Sequence, residues 1–117
     1  MKTIAIIYSE EHVLDALDKL LTKANFEVIP YFDPEDALRD THLVSPSLYL
    51  INYKNINMNG FELYKRLVEK KGNDDVRAVF ISSHHEIENE AYEIGGLDFI
   101  HVPFEKTDVI KRISNFA

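Results

Sequence analysis

Five short apolar runs alternate along this chain with apolar stripes at helical spacing, and the alternation restricts the fold more than any single motif. Thr3-Ile4-Ala5-Ile6-Ile7 is an unbroken, mostly β-branched run, as a strand covered on both faces requires. Glu10 and Glu11 read as the first turn of a helix, where carboxylates suit the positive end; Val13, Leu14, Leu17, Leu20 and Leu21 give that helix one stripe. Phe26 to Ile29 is a second strand. Asp33-Pro34 is a strong helix start, an N-cap followed by proline at the first helical position, with Ala37 and Leu38 as the buried side. Leu48 to Ile51 is a third strand that stops at Asn52, and Asn59, with Glu62 three residues on, caps the helix beginning Phe61. Gly72-Asn73-Asp74 closes that helix, and Val76 to Ile81 is a fourth strand. Ile87, Ala91 and Ile94 stripe a fourth helix that Gly95-Gly96 stops. Leu97 to Ile100 is the fifth strand, and Val109, Ile110, Ile113 and Phe116 line a last helix. Strand and helix alternating through short connections predict an α/β domain: a doubly wound, five-stranded parallel sheet covered on both faces by right-handed crossovers.

The 117 residues suffice for one domain with one core, read here as residues 1–117. A 45% apolar content argues against a disordered tail. Cysteine is absent, which removes disulfides and thiolate metal sites and suits a cytoplasmic location. The formal charge of −7 leaves no basic patch for phosphate backbones, so direct nucleic-acid binding is not expected. No apolar run is long enough for a signal peptide or a membrane span. The chain stops at Phe116-Ala117 inside an apolar pattern without a capping signal, so it reads as the N-terminal part of a longer signalling protein.

In such a sheet, ligands and chemistry collect in the loops at the carboxyl ends of the strands. Asn52 occupies that position with a neutral amide. Tyr8, Ser9, Ser82 and Val102 end or follow neighbouring strands. Glu10 reads as a solvated helix-start acid, with metal ligation as the alternative. His84, His85 and His101 would make a metal or pH-sensing cluster only if their rings converged. Adjacent histidines on a strand diverge and no acid completes a set, so they read as surface-loop residues. Glu86, Glu88, Glu90 and Glu93 read as a solvated helix face.

Four features recur in order: Pro46 before the third strand, Asn59-Gly60 after it, Gly95-Gly96 before the fifth, and Val102-Pro103-Phe104 after it. With this spacing, nearly the whole chain from Lys2 to Phe116 resembles the receiver domain of bacterial response regulators. The resemblance implies a flavodoxin-like three-layer fold in which an aspartate ending the third strand takes a phosphoryl group from a histidine kinase. That aspartate corresponds to Asn52. The family's two metal-binding acids correspond to Tyr8 and Ser9, its switch Thr or Ser to Ser82, its switch aromatic to Phe99 and its lysine to Val102. Its Asp-Gly and Lys-Pro-Phe become Asn59-Gly60 and Val102-Pro103-Phe104. The family's bond before this proline is typically cis, which is expected at Pro103. The segment from Ser82 to Gly95 is shorter than the family's, so its fourth helix is expected to differ.

These departures belong together chemically. Forming an acyl phosphate needs a carboxylate nucleophile, and an amide nitrogen lone pair is delocalised. Mg²⁺ prefers hard oxygens, usually including carboxylates, and Tyr8, Ser9 and Asn52 supply none. A lysine beside no anion would be a buried unpaired cation, and Val102 removes it. The expected function is therefore a degenerate receiver, with no catalytic residue, metal or cofactor, acting through protein contacts rather than aspartyl phosphorylation. The resemblance implies a protein partner or attached effector domain, and output or weak homodimerisation through the face of the fourth helix, fifth strand and fifth helix. Two alternatives stand beside this reading. One is a still-active receiver that uses a non-standard phosphate or metal site. The other is a small-ligand domain of flavodoxin type, which would need a Ser/Thr/Gly-rich phosphate loop where Tyr8-Ser9-Glu10-Glu11 stands.

Overall fold

A computed structural model describes all 117 residues. The strands are β1 (Thr3–Ile7), β2 (Glu27–Tyr31), β3 (Leu48–Asn52), β4 (Ala78–Ser82) and β5 (Asp98–His101). The helices are α1 (Glu11–Lys23), α2 (Pro34–Arg39), α3 (Gly60–Lys71), α4 (Glu88–Ile94) and α5 (Lys106–Phe116). All strand pairs are parallel, in the order β2-β1-β3-β4-β5. This is the doubly wound, flavodoxin-like fold the alternation predicts.

Side-chain alternation along the strands divides the core into two layers. Ile4, Ile6, Leu48, Leu50, Val79, Ile81 and Ile100 pack under α1 and α5 with Leu14, Leu17, Val109 and Ile113. Ala5, Ile7, Tyr49, Ile51, Phe80 and Phe99 pack under α2, α3 and α4 with Leu38, Phe61, Leu67 and Ala91. No helix is long and apolar enough to cross a membrane.

Several boundaries shift from the sequence reading. The third strand runs one residue further, through Asn52, because its ladder continues opposite Ile81. The second strand runs on to Tyr31 through Pro30, and the fourth spans Ala78–Ser82 rather than starting at Val76. The fourth helix is short, preceded by a single 3₁₀ turn at His85–Ile87. Glu10 lies outside the first turn of α1 as its N-cap, its Oε2 accepting from Val13 N at 2.8 Å. At α3, Asn59 Oδ1 accepts from Glu62 N at 2.9 Å, but the Glu62 carboxylate pairs with Arg66 at 3.0 Å instead of returning to the cap. Glu88, on the solvated face of α4, makes an exposed contact there, its Oε1 lying 2.7 Å from His101 Nε2.

A polar clasp ties α4, β5 and α5 together. Buried Asp98 receives Arg112 Nη1 at 2.8 and 3.0 Å, Tyr92 Oη at 3.2 Å and Phe99 N at 2.8 Å. Arg112 Nε donates to Asp108 at 3.0 and 3.1 Å. Asp98 first, then Asp108, holds the Arg112 guanidinium above its ordinary pKa.

Burial also marks the tyrosines, with Tyr49 of β3 only 1% exposed and its phenol pushed up to about 12. A phenol that stays neutral in the fold above the ordinary value of 10 makes the unfolded chain lose its proton first. The associated stability is complete below about pH 10 and lost as pH rises through the folded value. Denaturation between pH 9 and 12 should therefore show stability falling across that window, and Tyr49→Phe should lessen the fall.

Candidate functional site

Parallel register gathers one end of every strand on a single edge. Ile7 lies beside Ile51, Asn52 beside Ile81 and Ser82 beside His101, so the residues that follow β1, β3, β4 and β5 share the carboxyl edge. The sheet thus brings the candidate residues to one place, but hydrogen bonding joins only some of them.

Ser9 and Asn52 are joined through Asn55, which the sequence reading passed over. Asn55 Oδ1 accepts from Ser9 N at 2.9 Å and from Asn52 Nδ2 at 3.3 Å, while Asn55 Nδ2 donates to Asn52 O at 2.7 Å. Asn52 Nδ2 also donates to Lys54 O at 3.0 Å. Backbone groups fix both amide orientations. Ser9 N can only donate, so it faces the Asn55 oxygen; Lys54 O can only accept, so it faces the Asn52 nitrogen. Both polar hydrogens of the buried Asn52 side chain are thereby used. The signal for Asn55 was the run of asparagines, Asn52 ending β3 and Asn55, Asn57 and Asn59 following in the loop.

Ser9 also fastens loops with its hydroxyl, which donates to Phe32 O at 2.6 Å and accepts from Ile56 N at 3.1 Å. Asn57, at a left-handed φ of 68°, donates to Asp33 Oδ1 and Oδ2 at 3.1 and 3.2 Å. Asp33 Oδ1 is at the same time the N-cap acceptor of α2, receiving Glu35 N at 2.9 Å. The loop then turns into α3 at Gly60, whose N–H donates to Tyr53 O at 2.6 Å. A Cβ at Gly60 would stand 2.5 Å from Asn52 O, so only glycine permits this approach.

The other candidates share no hydrogen bond with Asn52. Tyr8 is buried in the layer under α1 and α5, its phenol raised by burial and then by Glu10. The Ser82 hydroxyl accepts from His84 N at 2.9 Å and lies 3.4 Å from His84 Nδ1. Phe99 is buried beneath the sheet on the α2–α4 side. Val102 extends the sheet through its N–H to Ser82 O at 3.0 Å, and its side chain packs on the α1/α5 layer. The Val102–Pro103 bond is cis. Glu10 is held as a helix cap, and no three His, Asp or Glu side chains come together in a metal-holding group.

The histidines differ from a plain surface loop. The His85 and His101 rings stack with centroids 4.1 Å apart at 19°, and His84 turns away toward Ser82 and Tyr53. Adjacent histidines do diverge, yet one of them still meets the neighbouring strand end.

Comparison with known proteins supplies the context. The family model for the response regulator receiver domain matches residues 4–114. A two-component response regulator of Arabidopsis thaliana, ARR21, is 31% identical over all of this chain, which spans 19% of that protein. The transcriptional regulatory protein FixJ of Rhizobium meliloti is 30% identical, with 95% of this chain covering 54% of FixJ. The receiver domain of the Francisella response regulator 1452 superposes with a TM-score of 0.89 at 16% identity, covering 99% of this chain and 96% of that one, a likeness of fold.

The amide geometry makes a testable demand on residue 52. In Asn52→Asp a carboxylate oxygen would face Lys54 O and Asn55 Oδ1, both acceptors. We expect a loss of about 1–3 kcal/mol at neutral pH. The new carboxyl would titrate above its unfolded value, because only its protonated form can donate to Lys54 O. The variant should therefore approach wild-type stability below about pH 4 and lose ground as pH rises. Urea unfolding of both proteins across pH 4–8 checks this, and equal stability throughout would refute the assigned orientation.

Proposed function

This chain belongs to the response regulator receiver domain family of two-component signalling, and we propose that it is a degenerate receiver that acts without aspartyl phosphorylation. The observation that carries the reading is the Asn52 amide, whose donors are committed to Lys54 O and Asn55 Oδ1 where the family has a carboxylate nucleophile. The metal the family implies does not fit these residues. Hydroxyl and amide groups of Ser9, Asn52 and Asn55 offer no carboxylate, and the Asn52 amide already occupies Lys54 O. Val102 accords with that chemistry, since a cation there would face no anion. Glu10 as a substitute ligand has lost support because its carboxylate caps α1.

On this reading the domain is a cytoplasmic signalling module rather than an enzyme, and it works through contacts with a protein partner or an effector domain in a longer protein. The partial coverage of ARR21 and FixJ accords with residues 1–117 being one domain of such a chain. The α4/β5/α5 face presents Glu88, His101, Asp108 and Arg112 around a cavity of about 430 Å³ and is the proposed surface for output and for a weak symmetric dimer. Sedimentation should show a concentration-dependent monomer–dimer equilibrium that His101→Glu shifts to monomer. A monomer at every concentration removes the dimer from the proposal.

Acetyl phosphate with Mg²⁺ tests the central claim. Wild type and Asn52→Asp should both remain unlabelled by intact mass. The nucleophile alone would return without acids at Tyr8 and Ser9 or a cation at Val102, and each missing charge-stabilising group removes about 10²–10³ in rate. The combination Tyr8→Asp, Ser9→Asp, Asn52→Asp and Val102→Lys is the smallest set expected to label. Labelling of wild type, or micromolar Mg²⁺ binding by it, would overturn the proposal.

A further inference from the structure

We propose that the stacked rings of His85 and His101 form a proton-operated latch between the start of α4 and the end of β5, tightened by one added proton and released by a second. The latch goes beyond the degenerate-receiver reading; only its bearing on output rests on that reading, through the proposed α4/β5/α5 surface.

Two imidazoles tie the turn that opens α4 to the end of β5. His85, in the 3₁₀ turn before α4, places its Nε2 3.3 Å from Val102 O. His101, last in β5, places its Nε2 2.7 Å from Oε1 of Glu88, the first residue of α4. The two ring centroids lie 4.1 Å apart at 19°. A carbonyl and a carboxylate can only accept, so each neutral ring carries its hydrogen on Nε2 and leaves Nδ1 as the basic nitrogen. An added proton goes to Nδ1, keeps both Nε2 groups as donors and changes only the charge of the stack.

The two protons act in opposite senses. The first makes one ring a cation against the π face of the other, and on His101 it turns the Glu88 contact into an ion pair. The second puts like charges face to face across 4.1 Å. Every other group facing the rings acts on both protons alike or is already engaged. Glu86 lies in the same turn as His85, and Glu88, Glu105 and Asp108 bound the cavity that His101 lines; these acids attract either proton. Arg112 on that cavity is held by Asp98 and Asp108, and Tyr92 of α4 donates to Asp98. Phe99 meets His101 edge-on at 5.3 Å without charge, and His84 turns away toward Ser82. Ring–ring repulsion is therefore what sets the second proton apart from the first. Histidine is the side chain that changes charge around neutrality, so the latch responds to modest acidification.

NMR titration of the 117-residue protein from pH 8 to pH 5 tests the latch. The amides of His85–Glu88 should move in two steps of opposite sense. The nuclear Overhauser contact between the two rings should survive the first step and vanish in the second, while the amides of β1 and α3 stay in place. His85→Phe keeps a ring for stacking but cannot take a proton, so that variant should show one step and hold its ring contact down to pH 5. The wild-type titration carries the proposal by itself if the variant does not fold. A wild-type ring contact intact at pH 5, a single shared step, rings out of contact at pH 8, or the same loss of contact in His85→Phe would each overturn it. Labelling of the wild type by acetyl phosphate would sink the degenerate-receiver reading and leave these steps unchanged.

Discussion

The carboxyl edge of this sheet depends on the donor–acceptor polarity of one side chain, the Asn55 amide. Its oxygen takes the Ser9 N–H and its nitrogen reaches Asn52 O, closing the gap between the β1 and β3 ends with neutral groups. Burying charges there would demand partners of opposite sign, and a half-paired set costs several kcal/mol. A neutral network avoids that demand as long as every donor meets an acceptor. The buried edge meets this condition: the one fully buried side-chain polar atom left without a partner is Thr41 Oγ1, after α2 and not at the site.

The neutral edge requires the rest of the fold to hold it at short range. Parallel register sets the strand ends level, and Gly60 lets α3 start against Asn52 O, so the β3–α3 loop is drawn tight over the edge. Met58 and Phe61 then bury on the α2–α4 side. On the opposite flank, the Asp98–Arg112 clasp fixes α5 against β5. Local sequence and global packing agree at each of these points, as a single well-defined minimum requires.

Strand and helix order was legible because the runs at Ile4–Ile7, Leu48–Ile51 and Val79–Ile81 are buried on both faces and read as unbroken apolar segments. Edge strand β2 was less legible, since Pro30 and the exposed Glu27 interrupt its pattern. The site was legible as a set of positions but not as a set of contacts. Ser9, Asn52, Ser82 and Val102 could be placed from spacing, whereas the Asn55 bridge depends on how a loop folds back and no periodicity encodes that. The two histidine contacts were missed for a similar reason. His85 and His101 lie far apart in sequence, and only the β4–β5 register brings their rings together.

A receiver that switches needs two arrangements of comparable free energy and a modification that favours one of them. In this chain the residues proposed to report such a change are engaged: the Ser82 hydroxyl holds the β4–α4 turn through His84 N, and Phe99 is packed inside the α2–α4 layer. If, as proposed, no phosphoryl group biases the balance, a signal enters as binding energy. A partner can shift the domain only by its differential affinity for the two arrangements, and its effect grows with concentration as RT ln(1 + [L]/Kd). On the degenerate-receiver reading, control therefore passes from a covalent event at one residue to the abundance of a partner.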